Sequence, residues 1–326
     1  MQKFDVISIG DSTIDVFLDI SDAQVLCNLD KKGCKLCISY ADKIAVNKME
    51  RRVAGNTANN AVASSRLGLK TAIFTNVGSD ESGSEILEKL KSEKVDTSLS
   101  KVNPGMNSNF STVINFDKER TILVYHQPWK YSFPALPESK WVYYTSSGKG
   151  FETLHKPLIS YLRKNGVKLG LNLGTHQRKA PMNKIRDIIA QTDAFFFNKE
   201  EACDLLGLDY DAKFKDLLVG IKKMGPKVVI ITDGPKGSTC YDGENFYQLG
   251  IYTVPVIQRT GVGDSYASAF IAALQYGKGI EDAMKWGTLN ASGVVQHIGP
   301  QEGLRTKAEI ERIMKSKPKF TKSAFW

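Results

Sequence analysis

The chain has 326 residues, 42% of them hydrophobic and 24% charged, with a formal net charge of +9. That balance is ordinary for a folded globular protein, and no apolar run reaches the ~20 residues of a membrane span. Lysine supplies most of the charge and is spread out (Lys31-Lys32, Lys222-Lys223, Lys315, Lys317) rather than massed, so nucleic acid and membrane are not expected partners.

The opening Met1-Gln2-Lys3-Phe4-Asp5 lacks a signal-peptide pattern, and five cysteines are an odd number. Both fit a reducing cytoplasm better than a disulfide framework. Cys34-x-x-Cys37 lacks a second pair, so it reads as a half-buried hairpin strand rather than a zinc site.

Residues 4–10 form a short apolar run ending at a glycine, which predicts a buried strand with Asp11 and Asp15 just beyond its end. Short strands near 16–18, 36–38 and 44–46 are broken by Asp, Gly and Lys, and predict a separate small sheet. Asn56 or Thr57 can cap a small-residue helix that ends at Gly68. Asn59 lies one turn in, facing the same way as Asn56. Residues 71–78 predict a strand, and Asp80 to Glu93 an amphipathic helix with Ile86, Leu87 and Leu90 inward. Residues 108–125 predict a hairpin that joins the small sheet.

Alternation then resumes, with strands at 141–145, 168–172, 194–197 and 228–232 and a helix from Leu154 to Lys164. Strand–helix–strand alternation predicts an α/β fold, a doubly wound and mostly parallel sheet sandwiched by helices. Ligands bind outside the carboxyl ends of such strands, where Asn172, Asn198 and Thr232 fall. Asn198 and Glu201 share one face at a helix start, which suits either a hydrated Mg²⁺ or a capping box. His176, Gln177 and Arg178 form a polar cluster that either touches a ligand or lies at the surface, and the surface reading is preferred. Residues 260–264 read as a turn with two glycines, opening a helix from Tyr266 to Tyr276; another helix runs from Gly279 to Val295. Such a turn aims free amides at an anion. Asp264 at that point is either an ordinary helix cap or the base that takes a proton from an attacking hydroxyl.

Four motifs in this order resemble the ribokinase-like, or PfkB-type, carbohydrate and nucleoside kinases, from Phe4 to about Thr306. They are Ala54-Gly55-Asn56-Thr57-Ala58-Asn59, then Asn198 to Glu201, then Thr232, Gly234 and Gly237, then Gln258 to Asp264. The resemblance implies one kinase domain over 1–326, with a lid sheet from about 16–50 and 108–125 inserted in it. It implies ATP-dependent transfer of the γ-phosphoryl group to a hydroxyl of a sugar, sugar acid or nucleoside. Asp264 would be the general base, and Gly261, Val262 and Gly263 the anion hole. Asn198 and Glu201 would hold Mg²⁺ through water. Thr232, Gly234 and Gly237 would line the phosphates and ribose, and Asn290 the nucleotide base. Asp15, Gly55, Asn56 and Asn59, with Asp11 and Thr13, would hold the acceptor. A homodimer through the lid sheet is also implied.

The chain departs from the family pattern in three places. Ala54 replaces the first glycine of the pair, which stiffens the hinge beneath the lid. Gln258 removes a carboxylate near the family's monovalent-cation site, which leaves a potassium requirement open. Asp11 to Asp15 replaces the Asn-Pro of the sugar-phosphate kinases, so an unphosphorylated acceptor is expected. A non-catalytic sugar- or nucleotide-binding regulator is the alternative on the same scaffold. A dinucleotide oxidoreductase needs G-x-G-x-x-G after the first strand, and residues 10–15 lack it.

Overall fold

The computed structural model of the protein describes residues 3–27, 34–117, 119–323 and 325. Its centre is an eight-stranded sheet in the order Phe246–Leu249, Ser238–Tyr241, Val228–Thr232, Ala194–Asn198, Lys168–Leu171, Ser139–Tyr144, Phe4–Ile9 and Thr71–Phe74. The last six strands pair in parallel. The first two add an antiparallel hairpin at one edge. The central strands read as continuous apolar runs because helices cover both faces. One buried layer gathers Ile7, Ile9, Val142 and Leu169 with helix residues Leu154, Leu158 and Leu217. The opposite layer gathers Val6, Tyr143, Phe196 and Ile230 with Phe270, Trp286 and Leu289. The doubly wound α/β fold expected from the alternation is therefore present.

A second sheet of four strands lies apart, in the order Glu119–Tyr125, Phe110–Phe116, Thr13–Ile20 and Val46–Ala54. It is larger than the sequence suggested. The expected strand near 44–46 is the start of a nine-residue strand that runs to Ala54. Its alternation is hidden by charges at Lys48, Glu50, Arg51 and Arg52, which lie on a mostly exposed surface. The expected strand near 36–38 is Lys35–Cys37, paired with Gln24–Leu26 in a small hairpin. That hairpin brings Cys27 and Cys34 to a Cα separation of 4.0 Å, and they are joined in a disulfide. The expectation of reduced cysteines is corrected here: the count argued against a framework but said nothing of one local pair. Among the described residues no His/Cys/Asp/Glu cluster could hold a metal, and no helix is long and apolar enough to cross a membrane.

Two further boundaries move. The run 71–78 splits at Thr75, whose hydroxyl accepts from the Ser12 amide, and Asn76–Gly78 pairs instead with Lys101–Asn103. The helix expected from Tyr266 begins four residues earlier and spans Val262–Gln275. Gly261, left-handed at φ 76°, caps it. Asp264 is thus already inside the first turn.

Candidate active site

The helix Val262–Gln275 is where the site starts. Its opening amides, from Val262 to Asp264, have no carbonyl one turn back, and the helix dipole adds positive potential there. Gly261 leaves no room for a side chain, since a Cβ would sit 2.4 Å from Cβ of Pro300. The Asp264 side chain caps nothing. Its Oδ1 accepts from Nδ2 of Asn56 at 2.9 Å, and its Oδ2 from Nδ2 of Asn59 at 2.8 Å. The helix-cap reading of Asp264 is therefore excluded.

The two asparagines sit in the first turn of the helix Asn56–Arg66, whose cap is Gly55 rather than Asn56 or Thr57. Spacing by three places both amides on one face, as the sequence implied. They meet a carboxylate rather than open space. Asn59 is held from its other side, where its Oδ1 accepts from Nε2 of Gln301 at 3.2 Å. Below them, Asn60 donates to Oγ of Ser268, which donates to the Asp264 carbonyl. Burial pushes the Asp264 carboxyl up to about 6, against the two asparagine donors and with a push from Glu201. A carboxylate so placed is ionised at neutral pH yet basic enough to accept a proton.

A cavity of about 490 Å³ opens in front of this group. Asn56, Asn198, Glu201, Thr232, Gly234, Gly237, Gly261, Val262, Gly263 and Asp264 line it. Apolar Ile251, Val254, Val256, Ala291 and Val295 also line it. The sequence thus anticipated much of this lining, drawn from strand ends far apart in the chain.

Asn198 and Glu201 form a full capping box: Oδ1 of Asn198 accepts from the Glu201 amide, and Oε2 of Glu201 from the Asn198 amide. Oε1 of Glu201 lies 3.0 Å from Nη1 of Arg178. The expected surface cluster is corrected accordingly. His176 is exposed, but Gln177 is buried with its amide oxygen on Gly174 N, and Arg178 compensates Glu201. Burial raises the Glu201 carboxyl and Arg178 opposes that rise.

Other expected residues lie elsewhere. Asn290 is buried outside the cavity, its amide donating to the Ser265 carbonyl and accepting from the Arg305 amide. Its helix lines the cavity through Thr288, Ala291 and Ser292 instead. Asp11 does not line the cavity. It accepts from the Tyr131 hydroxyl at 2.8 and 2.9 Å and from the Gly148 amide at 2.9 Å, and burial raises it to about 7. The Thr13 hydroxyl bonds the Ile14 carbonyl. Gly55, at φ 94°, packs against the Asp11 carbonyl and does not line the cavity. Asp15 is buried with one oxygen unpartnered. Burial pushes it up to about 6, a Ser111 hydrogen bond opposes this, and Asp264 pushes further.

With the geometry in place, comparison with known proteins gives the relation. The profile of the pfkB family carbohydrate kinases matches residues 23–307. The chain belongs to the pfkB family of carbohydrate kinases. This pfkB kinase is 28% identical over 284 residues to the 5-dehydro-2-deoxygluconokinase of Halalkalibacterium halodurans, covering 80% of this chain and 85% of that protein. Its fold matches the Arabidopsis thaliana ribokinase solved with ribose and ATP, with TM-score 0.79 at 19% identity over 96% of this chain and 99% of that one. It also matches the nucleoside kinase of Methanocaldococcus jannaschii, with TM-score 0.77 at 20% identity over 97% and 99%. At those identities the two structures speak to fold alone. In this kinase the sequence did not single out Gln301 or Tyr131, and it placed Arg178 at the surface; each is the partner of an anticipated residue. Gln301 lies 242 positions from Asn59 and Tyr131 lies 120 from Asp11, so no local pattern marks them.

Proposed function

We propose that this enzyme moves the γ-phosphoryl group of ATP to a hydroxyl of a small sugar or sugar acid, with Asp264 as general base. The observation that carries the reading is the Asp264 carboxylate, fixed by Asn56 and Asn59 beside the free amides of the helix start. Each carboxylate oxygen keeps a lone pair after accepting from one asparagine, so an acceptor hydroxyl can still donate to it. The acceptor O–H proton passes to Asp264 as the new O–P bond forms. The bridging O–P bond of the nucleotide breaks, and ADP leaves. The amides of Gly261, Val262 and Gly263 suit the charge on the moving phosphoryl group.

The cavity suits ATP. Its apolar lining matches a base, while the turns at Gly234 and Gly237 allow close approach of phosphates. Gly237 in particular excludes any side chain, because a Cβ would meet the Leu249 carbonyl at 2.1 Å. Mg²⁺, when bound, neutralises phosphate charge. Asn198 and Glu201 would hold it only through water, since both side chains are engaged in the capping box. On the acceptor side, the unpartnered oxygen of buried Asp15 is the best hydroxyl partner. Gln258 presents a neutral amide whose oxygen accepts from Gly299 N, which favours turnover without potassium.

A homodimer through the lid fits the exposed apolar residues Met49, Ile122, Leu123 and Val124 on its two edge strands. The name of the curated relative favours a sugar acid over a nucleoside as acceptor. Incubation with ATP, Mg²⁺ and a panel of sugars, sugar acids and nucleosides, read as ADP formation, tests the assignment. Acceptor-dependent ADP is expected; tight acceptor binding with no ADP across the panel would instead establish the binding regulator.

A further inference from the structure

Two arginines stand at the mouth of the cavity without an assigned task. Arg120 comes from the lid strand Glu119–Tyr125, and Arg259 from the segment just before the glycine turn. Both line the catalytic cavity, and both also line a second pocket of about 200 Å³ beneath the lid. Arg259 lies 3.5 Å from Glu119. Arg120 has no hydrogen bond or ion pair among the described residues. Arg120 is exposed to solvent along its strand, and the like charge of Arg259 works against its own. Two cations have been brought together with one exposed carboxylate between them.

Register shows what they face. Asp15 pairs with Ser111, and Asn115 pairs with Arg120, across the strand Phe110–Phe116. Positions 111 and 115 are four apart, so Asp15, Ser111, Asn115 and Arg120 face the same side of the lid. Four residues of strand span ~13 Å, which an extended arginine and a six-carbon acceptor together bridge. The pocket beneath the lid also holds acids. Glu50 is already paired with Lys48 and Arg52. Among the described residues Asp19 and Asp117 form no ion pair, and Lys48, which stands across from Asp19, is already held by Glu50, so an added anion fits at the arginine junction rather than deeper under the lid.

We infer that Arg120 and Arg259 form a carboxylate clamp for the acceptor, so that the enzyme selects an acidic sugar whose reacting hydroxyl lies at Asp264. The clamp rests on the kinase reading above. Guanidinium matches a carboxylate with two parallel N–H···O bonds, and a lid-borne arginine makes that match on closure. The selection is for charge at one end of the acceptor, with Asp15 reading a hydroxyl between the two ends.

The test compares kcat/KM for a keto-deoxy hexonate with that for fructose, in the full-length enzyme with ATP and Mg²⁺. The wild type is expected to prefer the acid. Arg120→Met should cut that preference roughly 10- to 100-fold, the worth of a charge-assisted pair, and Arg120→Lys should restore part of it. Arg259→Met should act in the same direction. An equal fall for acid and neutral acceptor would overturn the clamp, as would a rise confined to the KM for ATP, which would place the arginines on the nucleotide. A wild type that favours fructose would also overturn it while leaving the kinase reading intact. Absence of ADP with every acceptor would strike that kinase reading instead.

Discussion

Replacing Asp264 by Asn separates the chemistry of the site from its stability. Loss of a general base costs ~10²–10⁴ in kcat, or about 3–5 kcal/mol of barrier. Stability should respond differently. The carboxyl is buried and raised from 3.8 to about 6. The folded state therefore holds its proton more tightly than the unfolded chain does. Stability from this group is full below pH 3.8 and lost as pH rises through about 6. At pH 8 the ionised group costs about 3 kcal/mol, which a neutral amide does not. Against this, the new amide nitrogen must face one of two asparagine nitrogens. Asn59 is locked by Gln301, so Asn56 is the one that loses its acceptor. That loss is about 1.5–3 kcal/mol. The two effects nearly cancel. The variant should lose at least 100-fold in kcat while its Tm at pH 8 stays within about 4 °C of wild type. Steady-state ADP release and differential scanning calorimetry measure both. A kcat within tenfold of wild type would refute the base assignment, and a Tm drop beyond 10 °C would refute the balance of terms.

The kcat/KM of wild type should fall as pH drops below about 6, where Asp264 and its neighbour Asp15 take up protons; an acid limb near 4 would contradict the burial argument. Asn59→Ala removes a donor that favours the ionised carboxylate, so a pH–rate profile should show the limb moved upward. Gly261→Ala forces a side chain into left-handed backbone against Pro300 and should lose about 1–3 kcal/mol by denaturant titration, together with turnover; a variant neutral in both would show that the turn is not needed. Leu123→Glu places a charge on the exposed lid strand, and sedimentation should then report a monomer where wild type gives a dimer.

The main sheet was legible because its strands are buried on both faces and read as unbroken apolar runs, Ala194–Asn198 and Val228–Thr232 among them. The edge hairpin of Ser238–Tyr241 and Phe246–Leu249 went unseen, since Ser, Thr and Gln interrupt its pattern. The strand Val46–Ala54 escaped for a related reason. Its charged Lys48 and Glu50 line the pocket under the lid, and only Val53 and Ala54 at its end are buried. In the site, motif residues such as Asp264 and Asn56 were found because their spacing is local. Their supports were not. Gln301 behind Asn59 and Arg178 beside Glu201 are brought in by tertiary structure, and nothing near them in the chain names their partner.

The strand Val46–Ala54 runs straight into the helix Asn56–Arg66 with Gly55 as its sole intervening residue. Asn56, which grips the Asp264 carboxylate, is therefore the next residue past that pivot. On the proposed mechanism, a movement of the lid would reach Asn56, and through it the proposed base, by way of this single backbone joint, so that substrate capture and placement of the carboxylate would be coupled.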